Sequence, residues 1–146
     1  MSRRRPESTG AVYGIDLGTT YSCLAAIGPD GRAEIVPSMD APDLPSVVLF
    51  VSANDYLTGE PARAQARALP EDVCTLAKRR MGDGDWRFVS HGKGWSAPAV
   101  SSLILKALIN NTALNTATTV QDVVITVPAY FGDEERRATG WPGSTP

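Results

Sequence analysis

A carboxylate, a glycine and two threonines lie close together near the start of the chain. Asp16, Gly18, Thr19 and Thr20 form the pattern D-x-G-T-T between two short apolar runs, which predicts a strand, a tight turn and a second strand. Backbone amides and threonine hydroxyls that converge in such a turn can bind an anion such as phosphate. A neighbouring carboxylate is a hard oxygen ligand for Mg²⁺, directly or through water. The pattern is equally typical of a plain hairpin whose Asp and Thr side chains bond the turn amides, so both interpretations stay open.

The elements that would position this turn follow from alternating hydropathy. Residues 12–27 predict a hairpin, and the Gly-Pro-Asp-Gly turn signal at residues 28–31 leads to a third strand at residues 33–36. The three strands are therefore expected to form an antiparallel meander.

The next segment predicts a second group of strands and a short helix. Residues 46–51 are apolar and β-branched enough for a strand, and residues 56–59 return after a turn. Pro61 suits the first turn of an alanine-rich helix over residues 62–68.

Further along, Trp86 and Phe88 lie on either side of Arg87 and predict a short strand over residues 85–89, followed by a loop at residues 92–95. The turn signal at residues 82–85 lacks the carboxylate pattern of a calcium loop.

A long helix and a final strand complete the pattern. Ser96 is a suitable N-cap for a helix over residues 96–114. Its apolar stripe recurs at three- and four-residue steps, which indicates a core-facing side. Residues 123–127 predict a strand buried on both faces, ended by Pro128. The stripe consists of Val100, Leu103, Ile104, Ala107 and Leu108.

Composition excludes several classes of protein. The 146 residues carry a net charge of −2 and are 42% hydrophobic, which fits one soluble domain and predicts neither nucleic-acid nor membrane binding. Arg3, Arg4 and Arg5 lie in a polar tail with no apolar segment after them, so we expect a solvated tail rather than a secretory signal. Cys23 and Cys74 lack metal-ligand spacing and indicate reduced core thiols in a cytoplasmic protein.

The sequence G-I-D-L-G-T-T-Y-S-C at residues 14–23 resembles the first phosphate-binding motif of the heat-shock protein 70 (DnaK-type) chaperone family. Four later stretches are similar to the same family in order and spacing. They are P-S-x-V at residues 45–48, G-x-x-A at 59–62, K-R-x-x-G at 78–82 and V-V-I-T-V-P-A-Y-F at 123–131.

This resemblance implies an α/β fold, namely an incomplete lobe I of an actin-like ATPase with a ribonuclease H-like mixed sheet and flanking helices. Residues 1–10 are polar and lack periodicity, which predicts a disordered tail, and the resemblance implies a partial nucleotide-binding domain at residues 11–139. Within that domain, residues 11–44 and 119–139 would form the core subdomain and residues 45–118 the upper subdomain. Residues 140–146 contain two glycines and two prolines, cannot continue a helix, and are expected to be a non-family tail.

The resemblance also implies roles for individual residues. Lys78 matches a lysine that helps to position the γ-phosphate and the attacking water, although three consecutive cations are also typical of a solvated face. The implied roles are catalysis by Lys78 and Thr19, phosphate binding by Gly18, Thr19, Thr20 and Tyr21, magnesium binding through water by Asp16, and coupling by Pro128 and Arg136.

The implied function is that of an ATP-binding fragment of a molecular chaperone, with ATP or ADP and Mg²⁺ as cofactors. In the intact family member, ATP hydrolysis would drive capture and release of unfolded polypeptide with the help of co-chaperones. Only half of the phosphate clamp is expected here, so the fragment alone would hydrolyse ATP weakly or not at all. The alternatives are another actin-like ATPase, such as a sugar kinase or filament protein, and a truncated, non-catalytic interaction module.

Overall fold

A computed structural model describes residues 13–27, 30–36, 43–116 and 123–126. Within these ranges the chain alternates short strands with helices. The strands are β1 (Tyr13–Asp16), β2 (Tyr21–Ile27), β3 (Ala33–Val36), β4 (Leu44–Pro45), β5 (Val48–Phe50), β6 (Tyr56–Thr58), β7 (Val73–Cys74), β8 (Phe88–Ser90), β9 (Lys93–Trp95) and β10 (Val123–Thr126). The α-helices are α1 (Glu60–Ala64) and α2 (Ala97–Thr116), and 3-10 helices cover Pro70–Asp72 and Ala77–Arg80.

The larger sheet is mixed, as the resemblance implied. Its order is β10-β1-β2-β3, and β4 pairs with β2 beyond this path. The β1–β2 and β2–β3 pairs are antiparallel, which confirms the predicted meander. β10 is parallel to β1, with Asp16 opposite Thr126. Because parallel neighbours require a crossover connection, the intervening strands and helices form one long connection between β1 and β10.

Alternation along β1 and β2 determines which side chains enter the core. Tyr13 and Ile15 are buried on β1, and Ser22 and Leu24 are buried on β2. Successive residues of a strand point to opposite faces, so these four side chains share the covered face of the sheet. Tyr13, Ile15 and Leu24 join a hydrophobic core that also contains Phe50, Val100, Ile104, Leu105 and Leu108.

A second, three-stranded sheet has the order β6-β5-β7. All three residues of its central strand β5 are buried. The helix between β6 and β7 is shorter than predicted: α1 ends at Ala64, and residues 65–68 form turns. Ala62 is its only buried residue, so the alanine-rich segment gains little packing energy, and short helices without such packing are marginal in water. Pro61 lies in the first turn, as predicted.

The segment between the second sheet and α2 corrects two predictions. The strand expected at residues 85–89 begins at Phe88, and residues 93–95 of the expected loop form strand β9. The two strands form a hairpin around His91 and Gly92, whose φ angles are +50° and +73°. Positive φ at both central residues is the requirement of a type I′ hairpin turn.

Packing explains why this hairpin forms. The ring of Trp95 on β9 stacks on Phe50 of β5 with ring centroids 4.6 Å apart. The ring of Phe88 on β8 also stacks on Phe50, with centroids 5.7 Å apart. The local sequence pattern could not reveal these contacts, because β5 is distant in the sequence. Trp86 packs against Met81 and Ala97, so both tryptophans serve as packing residues.

Helix α2 confirms its predicted start and its predicted apolar face. The Oγ of Ser96 accepts a hydrogen bond from the backbone N–H of Ala99 at 3.2 Å, which is an N-cap contact. Four residues of the predicted stripe are buried and the fifth, Ala107, is half-buried. The helix contacts β2 of the larger sheet and β5 and β6 of the smaller one.

Strand β10 is confirmed in position, but the prediction that both its faces are buried is wrong. Val124 is 60% exposed, whereas Val123 and Ile125 pack against the core. Among the described strands, β10 pairs with β1 alone, so it has one neighbour and its outer face is not covered.

The two cysteines are free thiols, as predicted. Cys74 is buried, but Cys23 is only half-buried, so the prediction that both are core thiols holds for Cys74 alone. Neither helix in the described part of the chain combines the length and apolar character needed to cross a bilayer.

Candidate functional site

The connection between β1 and β2 lies at the carboxyl end of β1. Asp16 is the last residue of that strand and is exposed to solvent. Because β10 runs parallel to β1 and ends at Thr126 opposite Asp16, both strands finish at the same edge of the sheet. Ligands of α/β proteins bind outside such carboxyl ends, so this edge is a suitable position for a binding site.

The turn itself requires glycine at position 18. A Cβ atom built on Gly18 would overlap the backbone carbonyl oxygen of Tyr21. The chain therefore folds back on itself more tightly at this point than a side chain would permit. The half-buried Thr19 and the exposed Thr20 follow directly, so their hydroxyls are available at the surface.

Ser46, which lies between β4 and β5, holds this turn in place. Its Oγ donates a hydrogen bond of 2.9 Å to the carbonyl oxygen of Gly18, and its backbone N–H donates one of 2.8 Å to that of Thr20. The Oγ atoms of Ser46 and Ser22 are 2.8 Å apart. Both serines are almost fully buried. The turn is thus fixed by a residue that is 28 positions away from Gly18 in the sequence.

The side chain of Tyr21 is tied to helix α1. Its phenolic oxygen accepts a 2.6 Å hydrogen bond from Nη1 of Arg63, while Nη2 of Arg63 forms a 2.6 Å ion pair with Glu60. The hydrogen bond to Glu60, followed by that to Tyr21, raises the pKa of the Arg63 guanidinium. These contacts place a permanent cation beside the start of β2.

Asp16 and Asp43 bring negative charge to the same strand pair. Cys23 lies opposite Asp16 in the antiparallel register. Burial, and then the charges of Asp16 and Asp43, raise the pKa of the Cys23 thiol. The two carboxylates therefore create a negative potential at this edge, which suits a cation more than it suits a thiolate.

Lys78 belongs to a different part of the structure. It is half-buried in the 3-10 helix Ala77–Arg80, which packs against α2. Among the described residues, no hydrogen bond or ion pair joins its side chain to Thr19 or Thr20. The structure thus brings Asp16 and residues 18–21 together in one turn and places Lys78 on a separate element. Pro128 and Arg136 lie outside the described residues.

A groove of about 400 Å³ lies on the second sheet, away from this turn. It contains none of the residues that the sequence selected for phosphate or magnesium binding. Its lining combines two arginines with aromatic and aliphatic side chains, namely Val73, Cys74, Thr75, Leu76, Arg79, Arg80, Trp86 and Phe88. The chemistry of the β1–β2 turn, rather than this concave surface, is therefore the basis for the candidate site.

Sequence reasoning missed three residues that shape the turn. Ser22 and Ser46 were part of motifs, but neither was assigned a role, and Arg63 was not selected. The P-S-x-V stretch was the available signal for Ser46. Its role could not be recognised from that stretch because its hydroxyl bonds the carbonyl of Gly18, in a turn 28 positions earlier.

The family model described as Hsp70 protein matches residues 12–143. The chain is 40% identical over 129 residues to the chaperone protein DnaK of Thermotoga petrophila, covering 88% of this chain and 22% of that protein. It is similarly 40% identical to the DnaK proteins of Elusimicrobium minutum, over 133 residues, and Nitrosopumilus maritimus, over 135 residues. These alignments cover 88% and 89% of this chain and 21% of each relative. The chain thus spans about a fifth of the length of the curated relatives it matches.

Proposed function

The chain belongs to the Hsp70 protein family, and on that premise we propose that its β1–β2 turn binds the phosphate groups of ATP or ADP together with Mg²⁺. The observation that carries this proposal is the position of the turn. Asp16 and Thr20 are exposed at the carboxyl edge of β1, next to a glycine whose Cβ would overlap the chain. A hard oxygen ligand and a close-packed turn with free hydroxyls are the chemistry that a magnesium-phosphate group requires.

Each residue of the turn has a distinct proposed role. The Asp16 carboxylate holds Mg²⁺ through water, because a hydrated ion gives up its water ligands reluctantly. Gly18 lets the backbone approach the phosphates. The hydroxyls of Thr19 and Thr20 and the amide of Tyr21 donate to phosphate oxygens. Bound Mg²⁺ would supply charge neutralisation of the phosphates.

Lys78 and Thr19 are the proposed catalytic residues. A cation on a flexible stem can neutralise charge that develops on a transferring phosphoryl group. Lys78 lies on an element that is separate from the turn, so this role requires the ligand to extend from the turn toward the 3-10 helix Ala77–Arg80. The hydroxyl of Thr19 would orient the phosphoryl group that the water attacks.

The proposed role of the intact protein is that of a cytoplasmic chaperone of the DnaK type. ATP hydrolysis would drive the capture and release of unfolded polypeptide, with co-chaperones as partners. Pro128 and Arg136 would couple the state of the nucleotide to the rest of the molecule. We propose residues 11–44 and 119–139 as the core subdomain and residues 45–118 as the upper one, between the tails at residues 1–10 and 140–146. This division is supported by the larger sheet, whose strands all lie within residues 13–45 and 123–126.

The decisive experiment is titration calorimetry of the 146-residue chain with ATP in the presence and absence of Mg²⁺. We expect saturable binding that depends on Mg²⁺ and is lost in Asp16→Asn. Asp55→Asn is the matched control, because Asp55 is an exposed aspartate that lies in the turn before β6. Equal losses in the two variants, or no binding by the folded unmodified chain, would refute the site. Binding without hydrolysis would support the non-catalytic alternative for this chain.

A further inference from the structure

Ser46 connects the two sheets at the point where the β1–β2 turn would meet its ligand. It lies between β4, which pairs with β2, and β5, which is the centre of the second sheet. Its backbone and its side chain each donate to one carbonyl of the turn, at Thr20 and Gly18 respectively. Two hydrogen bonds from one buried residue to alternate carbonyls determine the orientation of two peptide groups.

The direction of the side-chain hydrogen bonds follows from their stoichiometry. A serine hydroxyl carries one proton, and that of Ser46 is donated to the carbonyl of Gly18. The 2.8 Å contact between the two serine Oγ atoms must therefore use the proton of Ser22. The result is a chain of hydrogen bonds that runs from Ser22 through Ser46 to Gly18. Ser22 is 1% exposed and Ser46 is 6% exposed, so water does not compete for these bonds.

The orientation of the two carbonyl groups also determines the direction of the adjacent amide N–H groups. No cis peptide bond is present among the described residues, and in a trans peptide unit the C=O and N–H groups point in opposite directions. The carbonyl of Gly18 shares its peptide unit with the N–H of Thr19, and the carbonyl of Thr20 shares one with the N–H of Tyr21. Because both carbonyls point to Ser46, both N–H groups point away from it.

We infer that Ser46 and Ser22 are positioning residues that orient the Thr19 and Tyr21 amides as donors to a bound phosphate. This inference rests on the proposed function and adds the device that makes the turn selective for anions. Carbonyl oxygens facing the ligand would repel a phosphate, and Ser46 keeps two of them on the buried side. Removing the Ser46 hydroxyl would allow the peptide unit between residues 18 and 19 to rotate.

The test uses the whole chain labelled with ¹⁵N and two separate measurements. The first is the order parameter of the Thr19 and Tyr21 amides without ligand, which reports how firmly the peptide units are held. The second is the affinity for ATP with Mg²⁺, followed through the shifts of the same two amide signals. Ser46→Ala and Ser22→Ala each remove one of the two hydroxyls that form the series of hydrogen bonds to Gly18. Ser46→Thr retains a hydroxyl at the central position.

We expect Ser46→Ala to lower the Thr19 order parameter from about 0.85 toward 0.6 and to weaken Mg-ATP binding about tenfold. Ser22→Ala should act in the same direction but less strongly, and Ser46→Thr should restore most of the affinity. Ser102→Ala is the matched control, because the hydroxyl of Ser102 bonds the carbonyl of Ala99 within α2. In this variant the order parameters of the Thr19 and Tyr21 amides and the affinity for Mg-ATP should equal those of the unmodified chain.

Two results would overturn the inference. One is an unchanged Thr19 order parameter in Ser46→Ala, and the other is unchanged Mg-ATP affinity in that variant. If Ser46→Ala does not fold, the same criteria apply to Ser22→Ala. Absence of binding by the unmodified chain would refute the proposed function instead, and the order parameters would still decide whether the two serines hold the turn.

Discussion

The phenolic oxygen of Tyr21 accepts a 2.6 Å hydrogen bond from Arg63, a residue 42 positions later in the chain. The Arg63 guanidinium also lies over the Tyr21 ring, 5.7 Å from its centroid. This contact joins the first residue of β2 to helix α1. It therefore links the end of the candidate phosphate turn to the helix between β6 and β7.

Arg63→Ala is predicted to free the Tyr21 ring without unfolding the chain. Both side chains are substantially exposed, so water replaces the lost contacts and the midpoint of urea unfolding should stay the same. ¹³C relaxation of the Tyr21 ring should show increased motion on the nanosecond scale. Arg32→Ala removes another exposed arginine and should leave Tyr21 as it is in the unmodified chain. A large drop in the urea midpoint would show that the contact is structural.

Gly18→Ala is predicted to destabilise the chain by about 1–3 kcal/mol, because the new Cβ overlaps the Tyr21 carbonyl oxygen and the turn must open. Gly14→Ala is the matched control, since a Cβ at Gly14 meets no atom within 4 Å. Its effect should stay within about 0.5 kcal/mol. The free energy of unfolding in urea measures both. Equal losses of unfolding free energy in the two variants would mean that the overlap with the Tyr21 carbonyl oxygen does not destabilise Gly18→Ala.

The reactivity of Cys23 should depend on Asp16. Burial is the main cause of the raised pKa of the Cys23 thiol, and the Asp16 charge is the second. Asp16→Asn removes a negative charge that opposes the thiolate, so the pKa of Cys23 should fall and its alkylation by iodoacetamide at pH 8 should become faster. The measurement is made in a Cys74→Ala background so that one thiol is followed. A slower reaction in Asp16→Asn would contradict the assigned electrostatics.

Alkaline pH should destabilise the chain partly through Cys74. Burial raises the pKa of this thiol above its ordinary value of 9.0, so the folded state binds the proton more tightly than the unfolded state. Its contribution to stability is complete below the unfolded pKa and is lost as pH rises through the folded one. The unfolding free energy should therefore fall above pH 9 more steeply than in Cys74→Ala. Parallel pH profiles would exclude this contribution.

The His91 position is predicted to favour residues that tolerate a left-handed backbone. His91 has φ +50° and its Nε2 lies 2.8 Å from the carbonyl oxygen of Phe50, a contact that requires an Nε2–H donor. His91→Ala loses this hydrogen bond and keeps the strained φ, so we expect a loss of about 2 kcal/mol in urea unfolding. His91→Asn should lose about half as much, because asparagine adopts this conformation readily. The reverse order would show that backbone strain is not part of the cost.

Local patterns in the sequence determined the elements whose formation depends on nearby residues. The alternation of apolar side chains and the glycine turn predicted β1, β2 and β3 and their antiparallel order. The Ser96 cap and the three- and four-residue spacing predicted α2 and its buried face. The same stretch supplied Asp16, Gly18, Thr19, Thr20 and Tyr21 as one turn, since these residues are neighbours in the chain.

Only the tertiary structure decided features that depend on distant contacts. The β8–β9 hairpin forms where Trp95 can stack on Phe50, and α1 ends where its side chains no longer contact a core. Val124 is exposed because nothing among the described residues covers that face of β10. Most importantly, Ser46 reaches Gly18 across 28 positions of sequence. Hydropathy and turn propensity describe a residue by its neighbours, whereas the direction of a peptide group in the turn depends on a hydrogen bond from a residue between the two sheets.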